Sequence, residues 1–148
     1  MSIQTSDFDS ARESRRLTDG NTQIGAVASF TGLVRGSDDT VRLMELEHYP
    51  GMTERALEGI IKDARARWPL DGVRIVHRVG PLEPGEQIVL VLAASRHREA
   101  ALEAVAFIMD FLKTKAPFWK REEGPDGATW VDARESDETA AARWSGKP

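Results

Sequence analysis

The stretch Lys113-Thr114-Lys115-Ala116-Pro117-Phe118-Trp119-Lys120-Arg121 carries four cations and two aromatic rings with no acid, in a chain whose formal charge is −4. A lysine amine beside aromatic walls loses hydration, which favours its neutral form. Such an amine can act as a nucleophile or proton acceptor; kept charged, it can clamp an anion. Pro117 cannot continue the helical pattern that precedes it, so the chain is expected to fold back there and bring Lys120 near Lys113. The plainer alternative is that Lys113 and Lys115 complement the C-terminal carbonyls of their helix while Lys120 and Arg121 decorate a hairpin.

A second cationic group, Arg96-His97-Arg98, is expected in the first turn of the same helix, where the macrodipole disfavours each cation by about 0.3–1 kcal/mol. A bound phosphate would give a partner both to these cations and to the exposed backbone N–H groups. A carboxylate such as Glu99 or Glu103 would offset the charges instead. Arg35, closing the run Gly32-Leu33-Val34-Arg35-Gly36, is a third candidate anion contact, or else a solvated strand end. From His97 to Lys113 is sixteen residues, about 24 Å along a helix at about 1.5 Å per residue. One small ligand cannot reach both ends within one chain. Either the two groups are separate sites, or a two-fold dimer sets the His97-Arg98 end of one chain against the Lys113 end of the other, which is the preferred expectation.

Much other chemistry finds no residues to perform it. The chain has no cysteine, so disulfides, thiolate metal sites, Cys nucleophiles and a persulfide carried on this chain are excluded; any sulfur handled must be imported. There is no HExxH, no metal-ligand spacing of histidines, no P-loop and no strand-linked GxGxxG, so no metal and no cofactor is expected. Twenty Lys plus Arg against 24 Asp plus Glu gives no field favouring nucleic acid or an anionic membrane. The polar N-terminal residues lack a signal-peptide core, and no apolar stretch reaches the roughly 18–20 residues that cross a bilayer. The chain is therefore read as cytoplasmic.

The elements that must position these residues follow from periodicity and punctuation. With 148 residues, 41% of them apolar, residues 1–148 are expected to form one domain. A short, peripheral helix ends near Leu17. Strands are expected over 24–35 and 41–49, the second with Met44, Leu46 and His48 on one face and Leu43, Glu45 and Glu47 on the other. Thr53 is expected to cap a helix over 54–68 that Pro69 ends. Strands over 73–79 and 87–94 lead to a helix capped by Ser95, with Ala101, Leu102, Val105, Ile108, Met109 and Leu112 as its apolar stripe. A hairpin turns at Gly124-Pro125-Asp126-Gly127 between 118–122 and 129–133, and the tail over 135–144 reads as helical. Pairs of strands between single helices predict an α+β fold: a mixed or antiparallel sheet with helices packed mainly on one face, plus a C-terminal β-hairpin.

Five blocks in this order, Phe30-Thr31-Gly32-Leu33-Val34-Arg35, Leu46-Glu47-His48-Tyr49-Pro50-Gly51-Met52, His77-Arg78-Val79-Gly80, Ser95-Arg96-His97-Arg98 and Lys113 through Glu122, together resemble the catalytic (large) subunit family of molybdopterin synthase. The resemblance covers about residues 24–144. It implies a sulfurtransferase of molybdenum cofactor biosynthesis that converts cyclic pyranopterin monophosphate to molybdopterin by installing a dithiolene. In that family two sulfur atoms arrive on the C-terminal Gly-Gly thiocarboxylate of a small ubiquitin-like sulfur-carrier subunit, and the assembly is a heterotetramer around a homodimer of the large subunit. The same resemblance implies that Lys113 and Lys120 are catalytic and that Leu33, Val34, Arg35, His97, Arg98, Arg121 and Glu122 bind substrate, with Arg134 a further candidate. The family often has Lys where this chain has Leu33, so a contact there is expected to use the backbone, and the segment between Arg35 and Val41 is shorter than the family's.

Two other classes remain beside this one on residues alone. A noncatalytic groove for an anionic or ubiquitin-like tail needs only charge and would tolerate Arg at position 113, whereas nucleophilic or proton-transfer work would not. A single-strand nucleic-acid binder stacking bases on Phe118 and Trp119 would need a broader basic stripe.

Overall fold

The structure is a computed structural model that describes residues 1–36, 43–124, 127–131, 141–142 and 144–145. The elements run β1 (Ser2–Gln4), α1 (Ser10–Thr18), β2 (Ala26–Leu33), β3 (Leu43–His48), α2 (Met52–Arg67), β4 (Gly72–Arg78), β5 (Gly80–Leu82), β6 (Gln87–Ser95), α3 (Arg98–Lys115), β7 (Phe118–Gly124) and β8 (Gly127–Val131). The expected loop between Arg35 and Val41 lies largely outside the described residues. So do Arg134 and most of the tail read as helical, of which Ala141 and Ala142 are helical.

Two four-stranded sheets form, in the orders β1-β4-β6-β2 and β5-β3-β7-β8. The first is mixed, with β1 parallel to β4 and the other pairs antiparallel; the second is antiparallel throughout. The fold is therefore α+β, and the C-terminal hairpin is half of the second sheet. The short strands β1 and β5 had no sequence signal, being three residues each, too short for an alternation to register.

Strand alternation assigns the faces of the first sheet. Ile75, Val89, Val91 and Ala93 face Leu57, Ile60 and Ala64 of α2 and Ala101, Ala104, Val105, Ile108 and Leu112 of α3 in the main core. The opposite residues Val76, Leu90 and Leu92 are covered by Phe8, Leu17 and Val27. The first helix is thus a lid on the second face, although none of its own residues is fully buried. A smaller core of Val34, Met44, Leu46 and Leu82, touched by Ile88, joins the two sheets.

Three local expectations are corrected. Helix α2 begins at Met52, behind Gly51 with φ +87°, and the Glu54 carboxylate accepts from the Gly51 N–H at 2.8 Å. Thr53 therefore sits inside the first turn, and its hydroxyl is used elsewhere. Ser95 ends β6, where its hydroxyl donates to the Pro69 carbonyl at 2.8 Å; the N-cap of α3 is His97, with no side-chain cap bond. Leu102 is 62% exposed while Phe107 is buried. The reason is that α3 packs on two sides: its sheet-facing stripe meets the strands, and Phe107 packs edge-on against Trp68 and Trp144.

Candidate active site

Lys113 lies in the last turn of α3 and Lys120 in the third position of β7. Between them the helix stops at Lys115, Ala116 turns extended, and the Phe118 N–H closes back on the Ala116 carbonyl at 2.9 Å. Pro117 has no N–H with which to prolong the helix. Phe118 then enters β7 opposite His48, Lys120 opposite Leu46 and Arg121 opposite Glu45.

Alternation along β7 sorts the basic stretch into two faces. Phe118 and Lys120 lie on the face of Leu46, which is buried. Trp119 and Arg121 lie on the other. Trp119 is 46% exposed and meets Tyr49 edge-on at 5.8 Å. Of the two aromatics expected to wall the lysines, Phe118 lies on the strand face of Lys120 and Trp119 on the other. The Phe118 ring stacks on His77 at 3.9 Å between centroids and 17° between planes.

His77 is the centre of this arrangement; in the sequence it opens one of the five blocks but has no role assigned to it beyond a place in a strand. It is buried at the end of β4 on the helix-facing side. Its Nδ1 lies 2.8 Å from the Arg78 carbonyl; a carbonyl only accepts, so Nδ1 carries a proton. Burial pushes its pKa down to about 4, and the charges of Lys113 and His48 act in the same direction. The Lys113 ammonium thus faces His77 from the helix end, while Lys120 emerges two residues beyond the ring stacked on it. Lys113 borders the buried imidazole, and Lys120 shares a strand face with the ring that covers it. Lys113 is exposed in the single chain and Lys120 half-buried, so any drier cleft must be completed by another molecule.

Arg35 joins this side of the molecule through its neighbour. Val34 is buried with Met44, Leu46 and Leu82, and its N–H and carbonyl are taken by Glu86 and Gly85, each at 2.8 Å. Since Leu46 pairs with Lys120, the chain leaving β2 passes the face that carries Lys120. Leu33, 56% exposed, flanks a register shift against β6, and Arg35 is exposed beyond it. Arg121 is half-buried on the opposite face of β7, and Glu122 follows it, paired with Met44.

His97 and Arg98 stand at the other end of α3, exposed. The helix is unbroken from Arg98 to Lys115, so the separation of about 24 Å holds. Glu103, one carboxylate that could have offset the cations there, instead accepts from the Trp68 indole N–H at 2.9 Å. One chain therefore sets Lys113 near His77, Lys120 opposite Leu46 and Val34 packed against that Leu46, and leaves His97 and Arg98 at the far end of α3.

The family described as MoaE protein matches residues 3–115. The molybdopterin synthase catalytic subunit of Brucella melitensis biotype 1 is 50% identical over 146 residues, covering 97% of this chain and 90% of that protein. The molybdopterin synthase catalytic subunit of Escherichia coli K12 is 58% identical over 122 residues, 81% of each. Among solved structures, the molybdopterin biosynthesis MoaE protein from Burkholderia ambifaria MC40-6 is similar with a TM-score of 0.82 at 54% identity, covering 97% of this chain and 96% of that one.

Proposed function

The chain belongs to the MoaE protein family, and from that premise we propose that Lys113 and Lys120 are the lysines at which it transfers sulfur to a pterin. It is a sulfur-transferring enzyme, a catalytic subunit of molybdenum cofactor biosynthesis. Its donor is the C-terminal Gly-Gly thiocarboxylate of a small ubiquitin-like sulfur-carrier subunit, and its acceptor is cyclic pyranopterin monophosphate. The active assembly is a homodimer of this chain within a heterotetramer. Residues 1–148 are read as one domain, which accords with the docking of Trp144 on the main core. A cytoplasmic location belongs to the same proposal and accords with a chain free of cysteine.

The observation that supports the lysine assignment is that Lys113 acts on His77 from α3 while the residue stacked on that ring, Phe118, shares its face of β7 with Lys120. In each transfer the carrier's sulfur bonds to a pterin carbon as an oxygen substituent of that carbon breaks away and takes up a proton, and the sulfur's bond to the acyl carbon then breaks. The carbonyl oxygen carries negative charge as this happens, and an ammonium beside it stabilises that charge. The acyl carbon passes either to water, giving a carboxylate, or to a neutral lysine amine, giving an amide. Arg35 with Leu33 and Val34, and Arg121 with Glu122, bind substrate, Arg121 from the face of β7 opposite Lys120. His97 and Arg98 are supplied across the dimer to the phosphate and pterin.

The test uses the chain with its thiocarboxylated partner and cyclic pyranopterin monophosphate. Lys113→Ala and Lys120→Ala should each abolish dithiolene product while leaving partner affinity within a few fold, and Lys113→Arg should fail to restore turnover. Normal turnover in either Ala variant refutes its assignment; rescue by Arg would reduce Lys113 to a docking charge.

A further inference from the structure

We propose that Thr53 is a positioning residue for sulfur transfer: its buried hydroxyl clamps the bend between Lys113 and Lys120 and so fixes where the second amine stands relative to the first. The proposal rests on the assignment of those two lysines.

Thr53 is fully buried and stands in the first turn of α2, where the helix makes no use of its hydroxyl as a cap. The Oγ1 hydrogen is donated to the Pro117 carbonyl at 2.9 Å. The same oxygen accepts the Tyr49 N–H at 3.0 Å, while the Thr53 N–H returns to the Tyr49 carbonyl at 2.9 Å. A hydroxyl has one hydrogen to give, and here both its donor and acceptor directions are fixed. It ties together the end of β3, the start of α2 and the bend after α3, a link of 64 residues in sequence.

The bend has one local bond, from the Phe118 N–H to the Ala116 carbonyl at 2.9 Å. Pro117 has no N–H, and the last helical residue is two positions behind it. Two successive residues are also held from outside: Pro117 by its carbonyl on Thr53, and Phe118 by its ring on His77. Lys120 is the next residue on that face of β7. A shift of the Pro117 carbonyl would bear on where β7 begins its pairing with β3, at Phe118 and His48, and through that register on the Lys120 amine, with Lys113 left on its helix. Displacements of about 1 Å at a reacting group can cost about a hundredfold in rate.

The experiment compares Thr53→Val, which keeps the branched shape and loses the hydroxyl, with Thr53→Ser, which keeps the hydroxyl. Turnover, the KM for cyclic pyranopterin monophosphate, partner affinity and thermal midpoint are measured in the complex. Thr53→Val should lose at least about tenfold in kcat with KM and partner affinity within about twofold, and Thr53→Ser should recover most of kcat. Equal kcat in the two variants, or a loss that only tracks the fraction folded, overturns the clamp. Should Thr53→Val fold poorly, Thr53→Cys, with only a weak S–H donor, replaces it under the same two outcomes. Lys113→Ala and Lys120→Ala run alongside: if they keep full turnover, the lysine assignment has failed, whereas inactive lysine variants with equal Thr53 variants defeat the clamp alone.

Discussion

His77 shows how one residue couples the site to stability. Its imidazole is kept neutral chiefly by burial, helped by the Lys113 and His48 charges and opposed by the bond to the Arg78 carbonyl. In the unfolded chain the same ring titrates near 6.5, while in the folded chain it resists protonation until about pH 4. As pH falls from 6.5 the unfolded state takes up a proton that the native state refuses, so stability is complete above 6.5 and is lost progressively toward pH 4. The full difference is about 3 kcal/mol. Replacing His77 with Gln should flatten the fall of the thermal midpoint across this window; an unchanged slope would assign the acid sensitivity to other groups. Phe118 comes from β7, Lys113 from α3 and His48 from β3, so this one ring senses three elements.

At the scale of an element, α3 shows how a periodic pattern can be right in kind and wrong in detail. The stripe through Ala101, Val105, Ile108 and Leu112 is buried as its spacing requires, yet Leu102 is exposed and Phe107 is not. A single stripe describes a helix with one covered side. Here a second side is covered by Trp68 and Trp144, which no pattern within the helix foretells. Ile108, fully buried in the main core, should cost about 2–5 kcal/mol when cut to Ala, against less than about 0.5 kcal/mol for Leu102→Ala. Urea unfolding of the two variants measures this, and equal losses would mean that Leu102 is covered in the assembled protein.

For the whole molecule the decisive quantity is the length of α3. An unbroken helix keeps His97 and Lys113 about 24 Å apart, so a site using both needs two copies of the chain. Mixing an Arg98→Ala chain with a Lys113→Ala chain should then restore activity, because half of the sites in each hybrid dimer hold both native residues. With statistical pairing the recovery approaches about a quarter of the wild-type level. Complete failure to complement, with hybrid dimers shown to form, would place the site within one chain.

The amino-acid order by itself determined the helices and longer strands, the alternating faces of β3, the break at Pro117 and the basic stretch around it. These follow from periodicity, proline geometry and charge, which act over a few residues. The five sequence blocks determined the family as well. Only the tertiary structure decided that Trp119 and Arg121 turn away from Lys120, that His77 lies under Phe118, and that Thr53 holds Pro117 rather than capping its own helix. The physical reason is that each of these depends on strand pairing or on contacts between residues tens of positions apart. A side chain's chemistry is local, but the partner that uses it is chosen by the fold.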